Sequence, residues 1–183
     1  MAVIKHIESL YKNKTFDLLV EIGVYKGEST LELLKNANIK RYVGIDPYEQ
    51  YQEYEHDGTN QYTTDQLYNT VKEKFKGFKQ LELIRKYSSD AVDMFKDNSI
   101  DFLFVDGNHS YKYVLEDLEK YYPKVKKGGI ISGDDFFYRE EINGIKMVYE
   151  AVVDFTQKNN IEYKTTGRCD SFGGYPITWW FVK

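Results

Sequence analysis

Two apolar runs of strand length in the second half of this sequence each end abruptly in acidic residues. The run 100–105 is followed by Asp106, and the run 129–133 is followed by Asp134 and Asp135. If these runs are neighbouring parallel strands, the three carboxylates meet at one sheet edge, where they repel each other unless a cation lies between them. The pattern therefore predicts an α/β fold with a divalent-metal site.

Alternating strand-like and helix-like patterns along the whole chain predict a parallel sheet covered by helices on both faces. The strand patterns cover about 16–22, 41–45, 81–86, 100–105, 129–133, 161–166 and 177–182. The helix patterns cover about 2–13, 28–36, 64–76, 89–96, 111–121 and 142–158. The last two strands are expected to form an antiparallel hairpin. We therefore predict an α/β, Rossmann-like sheet of seven mostly parallel strands, in a single domain over residues 1–183.

The charge and cysteine content narrow the class of protein. Lys and Arg number 25 against 29 Asp and Glu, and the net charge of −4 argues against a general affinity for nucleic acid or anionic membranes. The sequence shows neither a signal peptide nor an uncharged run near the ~20 residues that span a bilayer. Its one cysteine, Cys169, excludes an intrachain disulfide. We expect a cytoplasmic protein, and a homo-oligomer is compatible with the sequence.

Two segments are candidates for a lid over a ligand. Residues 47–79 form a polar, tyrosine-rich insertion, and residues 166–175 form a loop rich in glycine. Both compositions suit an adaptable lid, and surface loops without function have similar compositions. His6 and His56 have no functional context and are interpreted as surface residues.

The first strand leads into a glycine turn, Glu21-Ile-Gly23-Val-Tyr-Lys-Gly27, directly before a helix. Glycine at such a turn lets a ligand approach the backbone, and the helix N-terminus supplies amide donors. Glu21 stands where dinucleotide-binding enzymes have their first glycine, and a carboxylate is poorly suited to cradle a pyrophosphate. It is well suited to a ligand that carries an ammonium group.

Two further strand ends offer contacts for a cofactor. Asp46 follows the second strand, at a position where an acid commonly accepts hydrogen bonds from two ribose hydroxyls. It could instead cap a helix or stabilise the turn before Pro47. Ser89, after the third strand, could contact an adenine or cap the helix that follows.

Together these residues resemble the class I S-adenosylmethionine-dependent methyltransferases, through E-x-G-x-x-x-G after the first strand and an acid after the second. The resemblance covers nearly the whole chain. It implies that S-adenosylmethionine is the cofactor. It also implies that Gly23 and Gly27 lie against its methionine part with Glu21 close by, that Asp46 holds the ribose, and that Ser89 lies near the adenine.

The segments D-G-N-H-S-Y (106–111) and G-G-x-x-x-G-D-D (128–135) resemble those of the metal-dependent O-methyltransferases. The similarity is closest to the group that includes macrolide sugar O-methyltransferases (methyltransferase family 24). Catechol O-methyltransferases are more distant, with Asp-Asn in place of Asp134-Asp135. The implied ligands of the metal are Asp106, Asp134 and Asp135, with Asp106 also bordering the cofactor.

All-oxygen ligands favour magnesium (Mg²⁺), Ca²⁺ or Mn²⁺ over zinc, and Mg²⁺ is the expected ion. Any of the three acids could instead cap the following helix, Asp135 above all. The resemblance implies His109 as the general base, with Lys112 as the alternative.

The implied activity is methyl transfer to a hydroxyl of a small molecule, such as a sugar, a catechol or a polyol. One alternative is an NAD(P)-dependent oxidoreductase, against which the missing G-x-G-x-x-G counts. A second alternative is a non-catalytic S-adenosylmethionine-binding module. The acids and His109 argue against that, because a binding module has no use for a base beside a metal.

Overall fold

The computed structural model describes residues 7–49, 64–136, 147–167 and 177–183. The strands are β1 (Thr15–Ile22), β2 (Asn38–Ile45), β3 (Leu81–Ile84), β4 (Ile100–Val105), β5 (Val125–Gly133), β6 (Lys164–Thr165) and β7 (Trp179–Val182). The α-helices are α1 (Glu8–Tyr11), α2 (Glu28–Asn36), α3 (Thr64–Lys74), α4 (Ser88–Ala91), α5 (Tyr111–Tyr121) and α6 (Val148–Lys158).

The seven strands form one sheet in the order β3-β2-β1-β4-β5-β7-β6. Every pairing among β1 to β5 is parallel, whereas β7 is antiparallel to both β5 and β6. The predicted fold class, with its C-terminal antiparallel hairpin, is therefore confirmed. The strand order reverses between β1 and β4, and ligands of such sheets bind beyond the carboxyl ends of the strands at that point.

Helices cover both faces of the sheet because successive residues of its central strands point to opposite sides. Val20 belongs to a buried cluster with Leu118 of α5 and Val152 of α6. Leu19 belongs to a second cluster, with Leu33 of α2 and Val71 of α3. Both sides of β1 are thus apolar and buried, which explains why its sequence shows no alternation of polar and apolar residues.

Several boundaries differ from the sequence prediction. The helix predicted from 142 begins at Val148, because Met147 is its N-cap and the Met147 N–H donates to the Glu150 carboxylate at 2.8 Å. The strand predicted over 161–166 contains only Lys164–Thr165, since the Ile161 N–H still bonds to the end of α6, at the Thr156 carbonyl. The helix predicted over 89–96 ends at Ala91 and continues as a 3₁₀ turn.

Other predictions fall on residues outside the described ranges. These are the first part of the opening helix, residues 50–63 of the insertion, residues 142–146 of the last predicted helix, most of the loop 166–175, His6, His56 and Cys169. Within the described part of the chain, no helix combines the length and apolar character that crossing a bilayer requires.

Candidate cofactor and metal site

The two acidic strand ends are neighbours in the sheet. β4 and β5 are parallel and Val105 pairs with Gly133, so Asp106 and Asp134 leave adjacent strands at the same level. Adjacent strands lie about 4.8 Å apart, which lets side chains at their ends share one ion. The strand arrangement that a shared metal site requires is therefore present.

Three side chains at this edge bring their potential ligand atoms together. One atom each of Asp106, His109 and Asp135 lies within 4.8 Å of the others. The Nε2 atom of His109 is 3.3 Å from Oδ2 of Asp135 and 3.7 Å from Oδ1 of Asp106. We call these three residues the acidic group. Carboxylate oxygens and imidazole nitrogens are common ligands of divalent cations in proteins.

Asp134 and Asp135 lie in different surroundings although they are adjacent in sequence. Asp135 has a left-handed backbone, with φ 56°, and its carboxylate lies beside His109. Asp134 is buried and accepts a hydrogen bond from the Thr178 hydroxyl at 3.4 Å. The structure thus places Asp134 beside the acidic group and outside the cluster of closest ligand atoms.

The acids of this site act on each other's ionisation. Burial raises the pKa of Asp134 to about 8, with added repulsion from Asp106 and Asp135. Burial also raises the pKa of Asp106, although its hydrogen bond with His109 works in the opposite direction. Burial by itself lowers the pKa of His109, but the hydrogen bond to Asp106 and the charges of Asp135, Asp106 and Asp134 raise it overall. A bound cation relieves this repulsion.

The loop after β4 turns tightly around His109. The side-chain carbonyl of Asn108 accepts the Ser110 N–H at 2.9 Å, whereas its buried amide nitrogen has no hydrogen-bond partner among the described residues. Lys112, the alternative base, is exposed, and its ammonium lies 5.3 Å from the centroid of the Tyr113 ring. The structure therefore brings His109 into the acidic group and places Lys112 on the surface of α5.

Gly23 lies where the end of β1 passes closest to the end of β4. Its φ is +88°, and a Cβ atom built there would lie 2.0 Å from the Asp106 carbonyl oxygen. Its N–H donates to the Ile45 carbonyl at 2.8 Å, so the turn is also tied to β2. The close approach of the Asp106 backbone requires glycine at this position. The predicted contact between this turn and the cofactor remains a prediction.

The carboxylate of Asp46 holds the glycine turn in place. Its Oδ2 accepts the backbone N–H groups of Val24 at 3.0 Å and Tyr25 at 2.8 Å, and its Oδ1 accepts that of Tyr48 at 2.7 Å. Tyr25 and Tyr48 have left-handed backbones, with φ of 48° and 49°, and these bonds stabilise that strained conformation. Asp46 therefore stabilises a turn, which is one of the alternatives that the sequence left open. A carboxylate with three such bonds retains about one acceptor position for a ribose hydroxyl.

Glu21 is fully buried at the end of β1. Its Oε2 accepts hydrogen bonds from the hydroxyls of Thr30 and Tyr42, at 2.5 and 2.7 Å, and its Oε1 has no partner within the described residues. Burial raises the pKa of Glu21 to about 8. An unpartnered carboxylate oxygen next to the glycine turn fits a cationic ligand such as the ammonium of S-adenosylmethionine. Sequence reasoning missed Thr30 and Tyr42, because a lone hydroxyl carries no pattern.

Ser88 and Ser89 begin α4, on the segment where the resemblance puts the adenine. The N-cap of α4 is Tyr87, and no side chain caps this helix, so Ser89 does not have the capping role. The Ser88 hydroxyl donates to the buried carboxyl of Asp117 on α5, and the Tyr121 hydroxyl donates to the Ser88 carbonyl at 2.8 Å. These bonds tie the segment to α5, and the sequence showed no sign of them because the partners are far apart in the chain.

Asp117→Asn is expected to change how stability depends on pH. Burial raises the folded-state pKa of Asp117 to about 7, above the 3.8 of an ordinary aspartate, so the folded protein binds more protons between these values. The wild-type free energy of unfolding should therefore fall as pH rises from 4 to 7. Between pH 5 and 8 we expect the variant to gain about 2–3 kcal/mol relative to wild type. Urea unfolding at both pH values measures this difference, and parallel pH profiles for the two proteins would contradict it.

Solved structures share this fold over nearly the whole chain. An rRNA methylase from Streptococcus thermophilus has a TM-score of 0.67 at 13% identity, covering 98% of this chain and 92% of that one. A candidate methyltransferase from Streptococcus mutans, SMU.1697c, in complex with S-adenosylhomocysteine, has a TM-score of 0.67 at 11% identity and covers 98% and 94%. A candidate caffeoyl-CoA O-methyltransferase from Staphylococcus aureus has a TM-score of 0.62 at 14% identity and covers 98% and 79%. At these identities the similarity shows the fold alone.

Two longer relatives share part of the sequence. The uncharacterised protein R132 of Acanthamoeba polyphaga mimivirus is 35% identical over 150 residues, which cover 79% of this chain and 63% of the viral protein. The uncharacterised protein y4gI of Sinorhizobium fredii is 30% identical over 82 residues, which cover 45% of this chain and 9% of that protein. The chain therefore spans less than two thirds of the length of these relatives.

The strand ends described above coincide with a known family pattern. A family model described as a methyltransferase domain matches residues 20–136, which include the glycine turn, Asp46 and the acidic group. The fold is that of class I S-adenosylmethionine-dependent methyltransferases. The chain belongs to this methyltransferase family, as its sequence predicted.

Proposed function

We propose that this domain transfers the methyl group of S-adenosylmethionine to a hydroxyl oxygen of a small molecule, with a divalent cation bound at the acidic group. The observation that carries the proposal is the cluster of ligand atoms from Asp106, His109 and Asp135, within 4.8 Å of one another. This cluster adjoins the glycine turn, because the Asp106 backbone packs against Gly23. A cofactor at the turn and an acceptor at the acidic group would therefore be neighbours.

The residues present fit a divalent cation. Asp106 and Asp135 would hold it through carboxylate oxygens, and the nearby Asp134 or His109 would complete the protein ligands. Burial, with added repulsion from Asp106 and Asp135, raises the pKa of Asp134 to about 8, and nearby positive charge would offset both effects. When bound, such an ion lowers the pKa of a coordinated hydroxyl.

The proposed reaction is a displacement at the methyl carbon. The acceptor oxygen forms the new O–C bond while the C–S bond breaks, and the electron pair of that bond stays on sulfur as a thioether. Where Asp134 completes the metal ligands, the hydroxyl proton passes to the imidazole of His109, and the carboxylates of Asp106 and Asp135 beside Nε2 stabilise the resulting imidazolium. Orienting the two reactants can supply ~7–11 kcal/mol in favourable cases, and general-base catalysis a further ~10²–10⁴-fold in rate.

A small-molecule acceptor is favoured by the charge of the chain. The net charge of −4 argues against a general affinity for a phosphate backbone. RNA is the second candidate acceptor, because the similar fold from Streptococcus thermophilus is that of an rRNA methylase. Family membership favours a transferase over the oxidoreductase alternative.

A methyl-transfer assay tests this function. The protein is incubated with S-adenosylmethionine labelled in its methyl group, Mg²⁺, and separate panels of catechols, sugars and polyols, with ribosomal RNA in a parallel reaction. We expect a labelled methyl ether of a small molecule that disappears in excess chelator and returns when Mg²⁺ is restored. Full activity in excess chelator would reject the metal, and labelling of RNA alone would reject the small-molecule acceptor.

Substitution of His109 distinguishes a general base from a metal ligand. If His109 is the base, His109→Ala lowers turnover by about 10²–10⁴-fold and leaves the affinity for the metal within about twofold. Titration with Mn²⁺, followed by magnetic resonance, measures that affinity independently of turnover. A loss of metal affinity of tenfold or more would instead make His109 a ligand. Lys112→Met is the matched control, and we expect it to keep wild-type turnover because Lys112 lies on the surface of α5.

A further inference from the structure

A side chain from α3 stabilises the glycine turn in addition to Asp46. Lys74, the last residue of α3, donates from its Nζ to the carbonyl oxygens of Lys26 at 2.7 Å and Gly27 at 3.1 Å. These are consecutive carbonyls at the end of the turn, and Gly27 is the N-cap of α2. Hydrogen bonds from a charged donor are about twice as strong as neutral ones. One ammonium thus fixes the orientation of two peptide groups.

Phe75 anchors the same contact beside Lys74. Gly27 has φ +70°, and a Cβ atom built on it would lie 2.4 Å from the Phe75 ring. The Phe75 side chain is buried and packs edge-on against Phe78, with ring centroids 5.9 Å apart. The end of α3 therefore lies directly against the turn, and this packing places the Lys74 ammonium beside the carbonyls of Lys26 and Gly27.

The contact of this ammonium with the two carbonyls does not stabilise α2, although a cation in the last turn of α3 is slightly favourable for α3 itself. The N-terminus of α2 already carries partial positive charge from its unpaired N–H groups, so a cation there is slightly unfavourable for the helix. The Gly27 carbonyl also has its own intrahelical partner, the Leu31 N–H at 3.2 Å. The contact therefore acts on the conformation and the electrostatic potential of the glycine turn. It adds positive charge next to backbone amides that would bind an anionic group.

We propose that Lys74 is a positioning residue for the cofactor, which acts by clamping the carbonyls of Lys26 and Gly27 and so holding the glycine turn in its binding shape. This inference rests on the proposed binding of S-adenosylmethionine at that turn. It assigns a role to a residue on a different helix, outside the E-x-G-x-x-x-G segment. A loosened turn lowers the affinity for the cofactor and leaves the chemistry at His109 and the acidic group unchanged.

Lys74→Met tests the clamp, because methionine keeps an unbranched apolar stem and removes the donor. We expect the dissociation constant for S-adenosylhomocysteine, measured by calorimetry, to rise about 3- to 10-fold. The KM for S-adenosylmethionine should rise by the same factor while kcat at saturation stays within about twofold. Lys74→Arg should restore the affinity to within about twofold of wild type, since a guanidinium also donates to two carbonyls.

Lys76→Met is the matched control, because Lys76 lies two residues further on and makes an exposed ion pair with Glu73 at 3.1 Å. An equal dissociation constant for the Lys74→Met and Lys76→Met proteins would overturn the clamp. So would a fall in kcat without a change in KM. If Lys74→Met also loses thermal stability, Lys74→Arg and Lys74→Met are compared well below both melting temperatures, and equal affinity in that pair overturns the proposal. A wild-type protein that does not bind S-adenosylhomocysteine would overturn the proposed function itself.

Discussion

Asp135→Asn is expected to lower the turnover of methyl transfer by about 10²–10⁴-fold while the affinity for S-adenosylhomocysteine stays within about twofold of wild type. Asparagine has nearly the size of aspartate and tolerates the left-handed backbone found here, with φ 56°. It removes the negative charge that lies 3.3 Å from His109 and that we assign to the metal. A loss of this size corresponds to about 3–5 kcal/mol of transition-state stabilisation. Steady-state turnover at saturating Mg²⁺ and calorimetric titration measure the two quantities.

Asp97→Asn provides the control for this substitution. The Asp97 side chain is 63% exposed and pairs with Lys124 at 2.7 Å, away from the sheet edge that carries the acidic group. We expect its turnover to equal that of wild type. If Asp135→Asn keeps wild-type turnover and the same sensitivity to chelator, Asp135 does not bind the metal.

Gly23→Ala is expected to destabilise the fold by about 4 kcal/mol or more, the range reached only by severe backbone or core disruption. The added methyl would lie 2.0 Å from the carbonyl oxygen of Asp106, and the φ of +88° is itself unfavourable for alanine. Pairing on both sides limits how far β1 and β4 can move apart, because both are central strands. For a chain of this length such a loss lowers the melting temperature by about 8–16 °C. Thermal unfolding followed by circular dichroism provides the measurement.

Substitutions at two other glycines distinguish the energetic cost of the steric overlap from the cost of the strained backbone. Gly128 has φ +81° but no atom within 4 Å of a built Cβ, so Gly128→Ala should cost only about 1–2 kcal/mol. Gly77 has neither a positive φ nor a close neighbour, and Gly77→Ala should be nearly neutral. A melting temperature for Gly23→Ala close to that of Gly128→Ala would show that the contact with Asp106 is not rigid.

The strands and their mostly parallel direction could be predicted because they depend on local patterns. The unbroken apolar runs at 16–22 and 100–105 indicated strands buried on both faces, and the structure has them at Thr15–Ile22 and Ile100–Val105. The helix predicted over 111–121 is present as Tyr111–Tyr121. Boundaries were wrong where a single contact sets the limit of an element, as the bond from the Ile161 N–H to the Thr156 carbonyl does for the strand predicted over 161–166.

Membership of the methyltransferase family could be predicted from the glycine turn and the acids at the strand ends, because each of these is a short segment that a local pattern shows. Which of the acids lies beside His109 could not be predicted. The sequence favoured Asp135 as a helix cap, whereas in the structure the left-handed backbone of Asp135 separates it from Asp134. It brings Asp135 to His109 and leaves Asp134 with Thr178.

The sequence by itself therefore determined the parallel sheet, the edge at which its acidic residues meet and the family to which the chain belongs, since each follows from apolar runs and the residues that end them. Only the tertiary structure decided which side chains meet. The contacts of Lys74 with Gly27, of Ser88 with Asp117 and of Gly23 with Asp106 join distant parts of the chain. Such contacts depend on how the elements pack together, and no local pattern of residues encodes that packing.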